Sequence, residues 1–158
     1  MEQKICVFTG HRSINAKHMA LLATRLDEVV ERLIAEGYTE FRTGGAYGFD
    51  TVAALKVLEK KRKYGFVKLH LFLPCHGQER GWKQVSQVAY RQILAEADSA
   101  VYSCERYVTG CMLKRDREMV EGAQICVAYY NGVPKGGTAY TVKLAEDSGL
   151  EVINVFVK

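Results

Sequence analysis

Two glycine-rich segments, at residues 43–50 and 131–138, are the parts of this chain best suited to chemistry. Glycine lets the backbone turn sharply and approach a ligand with no side chain in the way. Each segment precedes a helical pattern, whose unpaired N–H groups and positive dipole end attract anions such as phosphate. Two such segments predict a site for a nucleotide or another phosphorylated small molecule. The predicted contacts in them are Gly44, Gly45, Ala46, Gly48, Gly136, Gly137 and Thr138.

A further candidate segment leaves the first predicted strand and contains Thr9, Gly10, His11 and Arg12. Gly10 permits close approach, and the planar guanidinium of Arg12 can bind a phosphate. His11 can donate a hydrogen bond or carry a proton. Alternatively, His11 and Arg12 simply satisfy carbonyl groups of the loop.

Three more positions have a structural and a functional interpretation. Asp50 can cap the second helix, or it can form a hydrogen bond to a ribose hydroxyl or to an adjacent loop. Thr138 can cap its helix or contact phosphate. Arg115 cannot share a helix face with both Lys114 and Arg117, so we expect one or two of the three to reach the ligand.

The loop aromatics Trp82, Tyr107 and Tyr47 can stack on a base, although Trp82 can equally cover the core. The chain contains no GxGxxG, Walker lysine, HExxH or GxSxG motif, so no catalytic residue is assigned. Its five cysteines show no CxxC spacing, and neither a metal site nor a redox pair is predicted. Cys6 and Cys126 are predicted to be small core residues.

Strand and helix patterns alternate along the whole chain. Apolar strand runs are predicted at 5–8, 39–42, 67–73, 100–102, 125–129 and 152–157, and helices at 16–36, 50–63, 83–97, 111–121 and 138–148. Repeated βα units predict one α/β domain over residues 1–158, a Rossmann-like, doubly wound, mainly parallel sheet of about six strands with helices on both faces. Ligands of such sheets bind outside the carboxyl ends of the strands, where the candidate residues also fall.

Composition sets limits on the function. The 158 residues carry 22 basic and 18 acidic side chains, a net charge of +4 that fits an anionic ligand but is too weak to indicate nucleic acid by itself. The basic run from Lys56 to Lys68 is interpreted as a solvated helix end. Neither a signal segment nor an apolar run of membrane-spanning length is present, so we expect a cytoplasmic protein with no membrane partner.

These motifs resemble the SLOG superfamily of Rossmann-like nucleotide-binding domains. Residues 44–55 resemble the glycine signature of the DNA-processing protein A (Smf) proteins, and residues 115–117 their Arg-Asn-Arg element. Residues 134–138 resemble the phosphate loop of the LOG phosphoribohydrolases. The likeness is strongest to the small YpsA-like branch, through residues 9–12, the Pro74, Gln78 and Trp82 loop, residues 97–98 and residues 136–138.

The resemblance implies a sensor or regulatory module that binds a nucleotide-like small molecule without strong catalysis. LOG enzymes carry a glutamate thought to be catalytic three residues after the loop threonine, where this chain has Thr141. One alternative is an N-glycosidic hydrolase of a nucleoside monophosphate or an ADP-ribose-type compound, in which Glu79, Glu105 or Asp50 replaces that glutamate. Another is single-stranded nucleic-acid binding, which requires basic residues gathered on one face.

The resemblance also implies a homodimer, because LOG and Smf domains commonly pair through helices. The candidate surface is the helix over 111–120, where Met112, Met119 and Val120 can supply apolar contacts. A stripe of this kind can equally belong to the core. No firm cofactor is predicted beyond a bound nucleotide or phosphate.

Overall fold

The architecture is an alternating series of six strands and five helices, described for residues 3–158 by a computed structural model. A 3-10 turn, Ala16–His18, precedes the first helix. The elements are β1 (Lys4–Gly10), α1 (Met19–Ala35), β2 (Tyr38–Thr43), α2 (Phe49–Tyr64), β3 (Lys68–Leu73), α3 (Gln84–Glu96), β4 (Ser99–Tyr102), α4 (Cys111–Val120), β5 (Ile125–Tyr129), α5 (Gly137–Asp147) and β6 (Glu151–Asn154).

All five strand pairs are parallel, and the sheet order is β4-β3-β2-β1-β5-β6. The chain proceeds outward from β1 to β4 and then crosses back to β5 on the other side of β1. The strand order therefore reverses between β1 and β5. Open α/β sheets form a ligand crevice at such a position. The predicted Rossmann-like, doubly wound fold is confirmed.

Successive side chains of each strand point to opposite faces of the sheet, and they pack into two apolar cores, one on each face. Cys6 and Phe8 of β1 pack with α1, α2 and α3, whereas Val7 packs with α4 and α5. Cys6 and Cys126 are both fully buried, on opposite faces, as small core residues. Helices thus cover both faces, which confirms that part of the prediction.

The structure differs most from the sequence pattern at the start of the first helix and at the end of the last strand. The predicted helix over 16–36 is divided, because Asn15 caps the short 3-10 turn before α1 begins at Met19. The predicted strand over 152–157 ends at Asn154. The Asn154 side chain binds backbone groups of Tyr130 and Phe156 and turns the chain at that point.

The basic run at the end of α2 is neutralised by acidic residues of the neighbouring helices. Lys60 lies 2.6 Å from Asp27 and 2.9 Å from Glu31, and Lys61 lies 2.8 Å from Asp98. Hydrogen bonds from Tyr64 and the lysines lower the pKa of Glu31 to about 2. These charges join helices to one another, so the run is not a free cationic patch.

Candidate functional site

The candidate residues gather at the carboxyl edge of the sheet, in the loops that leave β1, β2, β3, β4 and β5 and in the adjoining helices. Backbone hydrogen bonds lock two of these loops together. The His11 amide donates to the carbonyl of Tyr129, and the His11 carbonyl accepts from Phe49. Because β1 and β5 are neighbours, residues far apart in sequence meet at this edge.

His11 has a connecting role within that edge. Its Nε2 atom accepts a 2.9 Å hydrogen bond from the backbone amide of Asn131, so Nε2 carries no proton in this arrangement. The ring also lies edge-on to Tyr129. His11 therefore joins the loops after β1 and β5, and its partner is an amide instead of the expected loop carbonyl.

Arg115 lies beneath the first glycine segment, with only 8% of its surface exposed. Its Nη1 atom donates a 2.6 Å hydrogen bond to the carbonyl oxygen of Gly44, and its Nε atom lies 2.7 Å from the Asp116 carboxylate. The planar fork of arginine suits both partners at once. Arg115 thus supports the loop from below and does not extend into open solvent.

Asp50 lies in the same buried cluster. The helix α2 begins at Phe49 with Gly48 as its N-cap, so the interpretation of Asp50 as the cap is wrong. Its Oδ2 atom instead accepts from the amide of Ala46 at 3.2 Å, within the adjacent loop. Burial raises the pKa of Asp50 to about 6, although the charge of Arg115 opposes the shift. Its Oδ1 atom is buried without a hydrogen-bond partner among residues 3–158.

Three of the candidate glycines are required by protein packing. A Cβ atom on Gly10 would overlap the ring of Phe49. Gly45 has a φ of +73° and faces Leu73, and Gly48 has a φ of +84° and lies against the backbone of Arg12. Their small size lets the loops pack on one another, which sets the shape of the edge.

The second glycine segment differs, because it is open. Gly136 is the N-cap of α5, and a Cβ atom on Gly136 or Gly137 would meet nothing within 4 Å. Thr138 is buried and does not cap the helix, so the capping interpretation is wrong. The start of α5 is therefore open around Gly136 and Gly137, and the first amide groups of a helix have no partner within it, as an anion site requires.

Thr141, the residue at the position of the LOG glutamate, is buried within α5 and donates to the carbonyl of Gly137 at 3.0 Å. It lies beside Asp116. Burial raises the pKa of Asp116, against the opposing effects of Arg115 and Thr141. A carboxylate is therefore present next to Thr141, but the contact with Arg115 already engages it.

Two neighbouring cavities open at the carboxyl edge, and both are lined by Arg12 and Trp82. The arginine cavity, about 380 Å³, also contains Arg80, Arg106 and the exposed Tyr107. The second, the tyrosine cavity of about 510 Å³, also contains Tyr47, Gly48 and Lys83. No Asp or Glu side chain lines either cavity within residues 3–158. Together they form one cationic crevice.

Aromatic contacts shape this crevice. The rings of Tyr47 and Trp82 lie edge to face with centroids 5.2 Å apart, and Trp82 contacts Tyr90 in the same way at 5.4 Å. The guanidinium of Arg12 lies 5.2 Å from the Tyr47 ring centroid. Trp82 thus packs against the core and also lines the crevice, whereas its stacking on a base stays a prediction.

A cavity of about 850 Å³ lies at the opposite edge of the sheet and is lined by Arg117 and the turn between α4 and β5. Of the neighbouring basic residues on α4, Lys114 donates to the carbonyl of Ser103 and Arg115 to that of Gly44. Arg117 therefore faces away from the predicted ligand edge.

Sequence reasoning missed Arg80, Arg106 and Asp116. The first two belong to the loops that follow β3 and β4 at the carboxyl edge of the sheet. Their positive charge on carboxyl-edge loops was the available signal. Asp116 gave no separate signal, because its importance depends on the spatial proximity of Arg115 and Thr141.

The expected dimer surface on α4 needs correction. Met119 and Val120 are each only 2% exposed and pack in the core against α5, so they cannot supply contacts to a second chain. Met112 lines the arginine cavity, and Leu113 is 42% exposed. The outer surface of α4 is thus apolar at Leu113.

No helix within residues 3–158 combines the length and apolar content needed to cross a lipid bilayer.

Similar structures support the fold. DNA processing protein A from Helicobacter pylori, in a structure described for its single-stranded DNA binding mode, matches 96% of this chain and 64% of its own length, with a TM-score of 0.68 and 17% identity. The protein TM1055 matches 95% of this chain and 72% of its own, with a TM-score of 0.60 and 20% identity.

Similar sequences define the family. The prophage-derived protein YoqJ of Bacillus subtilis is 30% identical over 145 residues, which are 84% of each chain. A UPF0398 protein of Brevibacillus brevis is 26% identical over 80% of this chain and 69% of its own length. The family model YpsA, described as the YspA SLOG family, matches residues 4–152. The chain therefore belongs to the YpsA family of SLOG proteins.

Proposed function

We propose that this chain binds a phosphorylated, nucleotide-like ligand in the crevice at the carboxyl edge and acts as a sensor or regulatory module. One observation carries the proposal. Arg12 and Trp82 line both cavities, and they therefore join a cluster of arginines to a pair of aromatic rings within one crevice. A nucleotide has the matching parts, an anionic group and a planar base.

The arginine cavity suits the anionic group. Arg12, Arg80 and Arg106 supply three guanidinium groups to this cavity. Each can bind a phosphate through two parallel hydrogen bonds. The open first turn of α5, at Gly136 and Gly137, offers a second place for negative charge at the same edge.

The tyrosine cavity suits the base. Tyr47 and Trp82 form an edge-to-face pair, and a base can stack on an aromatic face at such a site. A volume of about 510 Å³ falls within the usual range for small-molecule sites. Asp50 lies beneath the same loop, with a buried carboxylate oxygen that a ligand hydroxyl could satisfy after a small loop movement.

Family membership supports a ligand of this general class. The chain is a SLOG protein, and its fold matches that of DNA processing protein A, whose structure is described for binding single-stranded DNA. The coarse expectation is a nucleotide or nucleic-acid ligand. We favour the small molecule, because the basic run of α2 is already neutralised by ion pairs.

We propose a binding role without efficient catalysis. Thr141 cannot exchange a proton as a glutamate would. The neighbouring Asp116 is 6% exposed and paired with Arg115, which keeps it from a ligand. Among the alternative acids, Asp50 is buried and Glu105 is exposed beside the arginine cavity.

The test is isothermal titration calorimetry with adenosine, AMP, ADP and inorganic phosphate as probes. We expect AMP or ADP to bind more tightly than adenosine or phosphate. Arg80→Gln should weaken that binding about tenfold or more, since charged hydrogen bonds contribute on the order of 1.5–3 kcal/mol. Arg91→Gln, on the exposed side of α3 and outside both cavities, is the control with the same charge change.

Single-stranded nucleic acid is the second candidate, favoured by the likeness to DNA processing protein A. It is tested by titrating the chain with a short oligothymidylate at several salt concentrations. Tight oligonucleotide binding with a steep salt dependence, together with no AMP or ADP binding, would replace the first proposal with the second. If Arg80→Gln leaves binding unchanged, the crevice is not the binding site in either proposal.

A further inference from the structure

Three polar side chains form a connected row on the sheet face beside α4. The Nδ1 atom of His70 lies 2.6 Å from the hydroxyl of Ser99, and its Nε2 atom lies 3.0 Å from the carboxylate of Glu40. A serine, a histidine and a carboxylate joined in this order are the components of an activated nucleophile. None of the three lines the crevice described above.

The strand register creates this row. His70 on β3 is paired directly with Ser99 on β4, and Glu40 lies on β2, the strand on the other side of β3. Alternation along β3 places Leu69 and Leu71 in the core on the opposite face. The row is therefore held by the two backbone ladders that join β2, β3 and β4, which fix it more firmly than loops would.

The row is accessible where its serine lies. Ser99 begins the edge strand β4 and is exposed, whereas the side chains of His70 and Glu40 are 23% and 11% exposed. A cavity of about 230 Å³ is lined by all three, together with Ile5, Arg42 and Phe72. The carboxylate is thus shielded while the hydroxyl faces a small open space.

Arg42 adds a fixed positive charge to that space. Its Nη1 atom donates to the carbonyl oxygens of Met119 and Glu121 at 2.8 and 2.7 Å, and its guanidinium lies 4.9 Å from the Phe72 ring centroid. Arg42 is the register neighbour of His70 on β2. These contacts hold the cation over the cavity, where negative charge would develop during attack on a carbonyl.

We propose that Ser99 is a nucleophile activated by His70 and Glu40, and that it accepts the acyl group of a small, short-chain ester bound in this cavity. The proposal is independent of the crevice and of its ligand. Glu40 orients His70 by accepting a hydrogen bond from the protonated Nε2 atom, which leaves Nδ1 free to accept the proton of the Ser99 hydroxyl.

The chemistry divides into two balanced steps. In the first, the Ser99 oxygen bonds to the acyl carbon, its proton passes to His70, and the ester oxygen leaves as an alcohol carrying that proton. In the second, water gives a proton to His70 and attacks the acyl carbon. The carboxylic acid departs, and the proton returns to Ser99. No oxidant, metal or second substrate is required.

The experiment is covalent labelling with diisopropyl fluorophosphate, followed by intact-protein and peptide mass spectrometry. We expect one adduct per chain at Ser99, with loss of fluoride. Ser99→Ala should abolish it, and Glu40→Gln, which keeps a hydrogen-bond acceptor beside His70, should slow labelling at least tenfold. Ser148→Ala, at the end of α5, removes a hydroxyl elsewhere and should label like the parent chain.

Melting curves of each variant show whether it is folded. If the parent chain takes up no more reagent than Ser99→Ala, the three side chains only join the strands and the proposal is overturned. Labelling at Ser99 that is unchanged in Glu40→Gln and in His70→Gln overturns it as well, because the hydroxyl would then react without activation. Release of p-nitrophenol from p-nitrophenyl acetate provides an independent readout of acyl transfer.

Discussion

Arg115 on α4 holds the carbonyl oxygen of Gly44 at 2.6 Å, so a helix on one face of the sheet sets the conformation of the glycine segment at its edge. The same guanidinium neutralises the buried carboxylate of Asp116 at 2.7 Å. One side chain thus both holds the glycine segment in place and pairs with a buried carboxylate.

Replacing Arg115 should therefore lower the free energy of unfolding more than replacing an arginine on the surface does. Arg115→Gln leaves Asp116 buried without its cation, and removing one partner of a buried pair costs about 3–5 kcal/mol. Urea unfolding at neutral pH measures the effect, with Arg117→Gln on the exposed side of α4 as the control. Equal losses for the two variants would contradict a supporting role for Arg115.

The two glycine segments should respond differently to a side chain. Gly137→Leu places a bulky group in open space, so we expect the melting temperature to stay unchanged while AMP or ADP binding is weakened. Gly45→Ala should lower the free energy of unfolding, because Gly45 has a positive φ and its Cβ would overlap Leu73. Calorimetric titration and thermal unfolding separate the two effects. Full ligand affinity in a folded Gly137→Leu protein would argue against a phosphate contact at the start of α5.

Asp50 should make stability depend on pH. Its pKa is raised from 3.8 to about 6 in the folded chain, so the folded state holds more protons between these values. Stability from this group is greatest below pH 4 and declines as the pH rises through 6. Asp50→Asn lacks the effect, and its stability relative to the parent chain should rise by roughly 2.4 kcal/mol between pH 4 and pH 7. Urea titrations at each pH measure the difference, and a constant difference would place the Asp50 pKa near its ordinary value.

We expect little release of free base from nucleoside monophosphates. Thr141 supplies no general acid or base, and Asp116 beside it is paired with Arg115. Chromatography of a nucleoside monophosphate panel after incubation measures any product. Rapid turnover that is lost in Asp50→Asn, Glu79→Gln or Glu105→Gln would instead support the hydrolase alternative.

A homodimer remains a prediction, now placed on the outer surface of α4. Leu113 is the exposed apolar residue there, whereas Met119 and Val120 belong to the core. Light scattering over a concentration series should show a mass that rises toward twice 17.7 kDa, and Leu113→Glu should return it to the monomer value. A constant monomer mass at high concentration would rule the dimer out.

The alternation of apolar runs determined the fold class, because period-2 and period-3.6 patterns depend only on which residues face a core. The glycines and the order of the loops also predicted that the candidate residues lie at one edge of the sheet, since the carboxyl ends of parallel strands lie together whatever the details of packing. Short-range patterns predicted the first residues of the helices less well. Asp50 and Thr138 have the residue types of caps, yet Gly48 and Gly136 take those positions.

Tertiary structure alone decided which side chains contact one another or line the same cavity. Arg115 was expected near the ligand, but packing of α4 under the glycine segment buries it against Gly44. Arg80 and Arg106 come from separate loops and meet around Arg12 only because β4, β3, β2 and β1 lie side by side. Strand register likewise brings Glu40, His70 and Ser99 into one row. Sequence patterns report the environment of each residue, whereas side-chain contacts depend on long-range pairing that no local pattern encodes.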